Sequence, residues 1–225
     1  LLGDLCQPAD LRRLMASGEA RDEGRWVRAV EMGLAGALVP EIEGGLGLNA
    51  IDFVQVAEAC GYACLPEPLV ENTGVALPLL AALFPDTPVQ QSALTGEITV
   101  ALGHPSNLLV ADADTAGAFI LVEEEAVHLV GPDKVRLTAQ PGMDPFRRLF
   151  TVDYDARDAI ASVSLDRAAD ALDEAFESGA LFAAAQLLGI AQRCVDLAVA
   201  YAKERHQFGK PVGSYQAIKH HLATV

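Results

Sequence analysis

"YAKERHQFGKPVGSYQAIKHHLA", residues 201–223, is the most basic stretch of a strongly acidic chain. Between 203 and 221, Lys203, Arg205, Lys210 and Lys219 stand against one acid, Glu204. Arg205, Phe208 and Gly209 fall where one helix should stop and another begin. Gly209 permits a left-handed turn, and with Pro211 beyond it the helix should end there. Ser214 is placed to cap a last helix, "YQAIKHHLATV". Arg205 is planar, permanently charged and able to grip a phosphate through two donors. A phosphate near an electronegative helix C-terminus needs such a cation. Phe208 offers a flat apolar face to a ring system. Cations are favoured at helix C-termini without any ligand, so charge alone leaves both readings open.

Upstream, residues 166–209 read as one long helix. Its stripe is Ala180, Ala184, Leu187, Ala191, Val195, Ala198 and Ala202, with Phe182, Ile190 and Leu197 off it. A helix apolar on most faces between 179 and 191 should be buried on several sides. One long helix and the start of another cannot close a bundle. The chain is therefore expected to be a fragment, or to borrow helices from partners. The longest uncharged, largely apolar run, Ser178 to Gln192, is too short to span a membrane.

Before that helix the pattern changes twice. "EITVALG", "NLLVADA", "AFILVEE", "AVHLVGP", "KVRLTA" and "RLFTVDYD" are short, β-branched and divided by turn residues. Six such strands predict a small antiparallel sheet or barrel. Residues 1–95 read as helices. Pro8 and Gly18 bracket one. Trp26, Val30 and Leu34 share a face of the next. Asn49 caps a third, whose apolar positions are Ile51, Val54, Ala57 and Ala59. A further helical stretch is punctuated by Pro66, Pro68, Pro78 and Pro85. The fold class is thus α+β and mostly α. It comprises an N-terminal helical domain (1–95), a reduced β domain (96–163) and the first part of a C-terminal helical bundle (164–225).

The 225 residues are 51% apolar and 21% charged, a globular composition able to bury a sizeable core. The net charge of −15 disfavours nucleic acid and anionic membranes. It would also repel an anionic cofactor unless cations were placed locally. Cys60 and Cys64 lie one helical turn apart with no His nearby, so no metal site is expected. With Cys6 and Cys194 they read as free thiols of a reducing cytoplasm. "LLGDLCQPADLRRLM" lacks the features of a signal peptide, and without an initiator Met the start reads as trimmed. "GGLG" at 44–47 follows no strand and is not a dinucleotide fingerprint. His220–His221 reads as helix surface.

The terminal stretch closely resembles the acyl-CoA dehydrogenase family, which carries Tyr-x-x-x-Arg-x-x-Phe-Gly and a Gln seven residues after the Gly. Here these are Tyr201, Arg205, Phe208, Gly209 and Gln216. "LVPEIEGGLGLNAIDFVQVAEACGYA" resembles the family's Pro-Glu-x-x-Gly-Gly-x-Gly segment and the helix after it. The resemblance implies that Arg205, Phe208, Gly209 and Gln216 help bind FAD held largely by a neighbouring subunit. It implies α,β-dehydrogenation of an acyl-CoA, with electrons passed to an electron carrier.

Two departures shape that expectation. The family's polar segments facing the flavin ring are missing, because only "HPSNL" separates "VALG" from "LVADA". His104 and Ser106 sit in that turn and read as solvent-facing. The usual catalytic Glu lies beyond this chain. The earlier position used by some members counts back from Gly189 to Gly179, with Glu177 about 200° round the helix from it. The catalytic residue is therefore unassigned. The pattern is similar to the short partner subunits of heteromeric enzymes in steroid side-chain degradation. Two other readings follow from the same residues. One is a self-sufficient homotetramer whose base lies in absent C-terminal sequence. The other is a flavin-free helical scaffold.

Overall fold

The computed structural model describes residues 2–224. The N-terminal part is helical: α1 (Leu2–Leu5), α2 (Pro8–Ser17), α3 (Glu23–Glu31) and α4 (Ala50–Ala63). Pro8 opens α2, and Gly18 stops it in the left-handed region at φ 72°. Asp22 caps α3 through the Arg25 backbone N–H. Asn49 caps α4 in a reciprocal capping box with Asp52. Trp26 is buried on α3 and its indole N–H donates to the Gly96 carbonyl at 2.8 Å.

The inward face of α4 differs from the predicted one. Phe53, Ala57, Cys60 and Gly61 are buried, whereas Ile51 and Ala59 are exposed. The next stretch is one continuous helical run: α5 (Leu69–Glu71), a π turn (Asn72–Ala76) and α6 (Leu77–Leu83). Pro78 lies inside it. Proline has no N–H to donate to the preceding turn, and the wide π turn sits just ahead of it. A short α7 (Pro88–Leu94) follows, capped by Thr87.

The middle of the chain forms two small sheets. One has the order β1 (Val100–Gly103), β3 (Ala118–Val122), β4 (Ala126–Val130), β7 (Ala161–Ser164). The other has the order β2 (Val110–Ala111), β6 (Leu149–Tyr154), β5 (Val135–Gln140). The six predicted strands are all present, but they are not all antiparallel, because β1 pairs β3 in parallel. β7 was not predicted; "ASVS" is too short and too poor in bulky residues to signal itself. β3 is buried throughout. Ala118, Ile120 and Val122 face the helices, while Phe119 and Leu121 face the second sheet. Its two-sided burial explains why it reads as an unbroken apolar run.

The chain then enters α8 (Leu165–Glu204), 40 residues long, and ends in α9 (Gln216–Ala223). α8 crosses α4 at very close range. A Cβ built on Gly61 would overlap the carbonyl of Gln186, and one on Gly189 would overlap the carbonyl of Glu58. Each helix thus presents a glycine to the other's backbone. Beside this crossing, Phe182 meets Phe53 edge to face with ring centroids 5.1 Å apart.

The predicted α8 stripe is corrected by this crossing. At the crossing Phe182, Ala185 and Gly189 are buried, while Ala180, Ala184, Leu187 and Ala191 of the predicted stripe face outward; its last member, Ala202, is buried as predicted. Phe176, Leu181, Leu188, Ile190 and Leu197 are exposed as well. The apolar run is also part of a longer helix than Ser178–Gln192. By length and composition α8 could cross a membrane, and the apolar window that meets this test is mostly uncovered by the rest of the chain.

Candidate functional site: a hairpin arm and the cavities along the long helix

α8 stops at Glu204, with Arg205 as its C-cap in extended conformation. The predicted helix end at Gly209 is therefore five residues late. Residues 206–211 instead form a minute hairpin, β8 (His206–Gln207) against β9 (Lys210–Pro211). Phe208 and Gly209 are its two-residue turn, at φ 54° and 81°. Both central residues having positive φ is the type I′ pattern that suits the twist of a two-stranded ribbon. Glycine takes this backbone freely, whereas a phenylalanine there carries a cost of about 1–2 kcal/mol.

The hairpin is pinned at both ends. The Val212 N–H donates to the Arg205 carbonyl at 2.7 Å. The Tyr215 hydroxyl donates to the Gln207 carbonyl at 3.0 Å, and Lys210 Nζ lies 4.3 Å from the Tyr215 ring centroid. The last helix begins at Gln216 with Tyr215 as its N-cap residue. Ser214, the predicted cap, sits in a 3-10 turn (Val212–Ser214) and makes no cap bond.

Arg205, Phe208, Gly209 and Gln216 therefore lie on or beside one projecting arm. All four are exposed, and the Phe208 ring is 93% so. Among the described residues Arg205 makes no ion pair or side-chain hydrogen bond. A bare aromatic ring and a bare guanidinium on a stiffened turn fit one edge of a large phosphate-bearing aromatic cofactor such as FAD. They cannot enclose it, because nothing among the described residues covers the outer side of the ring.

Glu177 is exposed on α8, and a Cβ on Gly179 would meet only Val75 Cγ2, at 3.6 Å. His104 and Ser106 occupy an exposed turn, joined to each other at 2.7 Å. His220 and His221 are exposed on α9. Among the described residues no group of three or more His, Cys, Asp or Glu is arranged to hold a metal ion. Cys6 and Cys60 are buried and their thiols are pushed up, by burial first, to about 11 and about 12. They are inert structural thiols; Cys64 and Cys194 are exposed.

Two cavities flank α8, and neither was anticipated. One, of about 380 Å³, lies between the 38–50 loop, α6 and α8, with Glu43, Glu174 and Phe182 in its wall. The other, of about 210 Å³, is bounded by Glu67, Glu71, Arg147, Gln186 and Ile190. Arg147 pairs with Glu71 at 3.2 Å across it. These walls come from segments more than 100 residues apart, and no local pattern signals such a meeting.

Comparison with known proteins agrees with this architecture. The family model "Acyl-CoA dehydrogenase, N-terminal domain" matches residues 8–83, and "Acyl-CoA dehydrogenase, C-terminal domain" matches residues 166–225. Acyl-CoA dehydrogenase IpdE2 of Mycobacterium tuberculosis is 34% identical over 226 residues, covering 96% of this chain and 64% of its own length. The IpdE2 of Mycolicibacterium smegmatis is 32% identical over 218 residues, covering 96% and 65%. The chain thus spans just under two thirds of these relatives. Among solved structures, the ChsE4-ChsE5 complex from Mycobacterium tuberculosis aligns with a TM-score of 0.76 at 23% identity, over 99% of this chain and 71% of that one. The Tcur3481-Tcur3483 steroid ACAD aligns at 0.77 and 22%, over 99% and 69%. At those identities the structures speak to the fold.

Proposed function

The chain belongs to the acyl-CoA dehydrogenase family, and from that premise we propose that it is a subunit of a flavoenzyme that dehydrogenates an acyl-CoA thioester between its α and β carbons. In this reading it is the partner that does not carry the base. Its contribution is the arm, with Arg205 on the pyrophosphate, Phe208 on the adenosine half and Gln216 beside them. FAD supplies the two-electron acceptor of that chemistry, and an electron carrier takes the electrons onward.

The observation that carries the proposal is the pairing of an exposed arm with an uncovered apolar helix. Phe208 and Arg205 present binding chemistry away from their own chain. The outer face of α8 presents Leu187, Leu188 and Leu197 to the same surroundings. An exposed apolar stripe of this kind marks an interaction face. A neighbouring subunit that covers α8 would also bring its cofactor to the arm. Two more observations support the heteromeric form. Only a short exposed turn at 104–107 stands where the family has its flavin-facing segments, and Gly179 stands where the alternative base would be. In this reading the substrate is a steroid side-chain thioester, and a cytoplasmic setting suits the free thiols.

The test is Arg205→Ala in the assembly purified with a full-length homologue. FAD content should fall while subunit composition stays unchanged. Unchanged FAD content would instead support a flavin-free scaffold.

A further inference from the structure

The arm carries a second cation, Lys210, with no role yet. In the β8–β9 ribbon His206 pairs with Pro211 and Gln207 with Lys210. The bond from the Val212 N–H to the Arg205 carbonyl extends this ladder by one step. Side chains alternate along a strand, and directly opposed residues share a face. Arg205, Gln207, Lys210 and Val212 therefore project from one face of the ribbon, and His206 and Pro211 from the other. Arg205 and Lys210 are diagonal neighbours on their face, near enough for two long side chains to meet one ligand.

Lys210 is also held in place. Its Nζ lies 4.3 Å from the Tyr215 ring centroid. That ring is fixed in turn by the bond from its hydroxyl to the Gln207 carbonyl. An ammonium over an aromatic face keeps N–H donors for a further partner, and at an exposed site the contact itself is weak. A charge-assisted hydrogen bond to a phosphate oxygen is stronger. Among the described residues Lys210, like Arg205, has no carboxylate partner, and both are exposed.

Charge supplies the reason for a second cation. A diphosphate linked at both ends carries two negative charges. It would meet the electronegative end of α8, which closes on Glu204. Arg205 offsets only one of those charges. His206 lies on the opposite face, and its Nδ1 donates to the Glu204 carbonyl at 2.9 Å. We propose, on the reading of the arm as a FAD-binding element, that Lys210 is a second cofactor-binding residue: its ammonium takes one phosphate of the diphosphate while Arg205 takes the other, and Tyr215 is the platform that aims it.

The test follows the rate at which FAD leaves the diluted assembly formed with a full-length homologue, read as rising fluorescence of free flavin. At low salt Lys210→Met, which keeps the apolar stem, should release FAD about tenfold faster than the unaltered chain. Lys210→Arg should stay close to the unaltered rate. At about 1 M salt, where charges are screened within about 3 Å, the difference should largely close. A Lys210→Met assembly that purifies without flavin, beside a Lys210→Arg one that keeps it, would equally support the proposal. If Lys210→Met releases FAD at the unaltered rate while Arg205→Ala releases it faster, Lys210 has no such role and the arm reading stands. A defect of equal size at both salt concentrations, or one shared by Lys210→Arg, would assign Lys210 to the shape of the arm and overturn the proposal. If neither Lys210→Met nor Arg205→Ala alters release, the arm reading fails and the proposal with it.

Discussion

The Tyr215 hydroxyl donates a 3.0 Å hydrogen bond to the carbonyl of Gln207, tying the start of the last helix to the hairpin arm. The arm is therefore pre-shaped, and its tip residue pays for being held there. Phe208 adopts φ 54° with its ring in solvent. Phe208→Gly should leave folding stability unchanged or raise it by up to about 1 kcal/mol, since glycine takes this turn without strain. FAD content of the assembly should nonetheless fall. Thermal melting and flavin absorbance on one preparation check both halves, and a drop in stability with flavin retained would mean the ring serves the fold.

Tyr215→Phe should act more gently. An exposed hydrogen bond contributes about 0.5–1.5 kcal/mol. The arm should loosen, weakening FAD binding severalfold in the assembly, with little change in melting temperature.

The α4–α8 crossing predicts a contrast between glycines. Gly61→Ala and Gly189→Ala each drive a methyl into a backbone carbonyl. Overpacking against backbone should cost about 3 kcal/mol or more. Gly179→Ala, on the same helix as Gly189, meets only Val75 Cγ2 at van der Waals distance and should stabilise by about 0.5–1 kcal/mol. Denaturant midpoints of the three variants measure this directly.

Cysteine labelling reports the interface. At pH 8 the buried Cys6 and Cys60 thiols, raised to about 11 and about 12, should stay protonated and unlabelled without denaturant. Cys64 and Cys194 should label in the isolated chain. Cys194 follows Leu187 and Ala191 along the outer face of α8, so assembly should protect it while Cys64 continues to react. Mass spectrometry after brief alkylation gives the pattern.

Much of this fold is legible in the sequence because helix and strand boundaries are written locally. Asn49, Gly18 and Pro8 act on neighbours within one turn, and the apolar runs of β3 and β4 announce themselves. What is not legible depends on partners distant in the chain. α8 is apolar nearly all round, so periodicity alone cannot choose its inward face. Gly61 and Phe53, more than 100 residues earlier, make that choice by admitting Gly189 and Phe182. The parallel β1–β3 pairing is likewise set by a connection whose path no local pattern encodes. That the chain turns near Phe208 and Gly209 is legible locally, but the shape of the turn is not: "FG" signals a helix stop as readily as a hairpin turn. Only the extended backbone of Arg205 and the Gln207–Lys210 pairing distinguish them.

The most direct measurement is the FAD-to-chain ratio, taken on the chain purified alone and again after co-expression with a full-length homologue. If the arm completes a site held by a partner, the lone chain is colourless, and the assembly carries one FAD for every two chains. A lone chain that is yellow, holds one FAD per chain and turns over acyl-CoA would contradict the account.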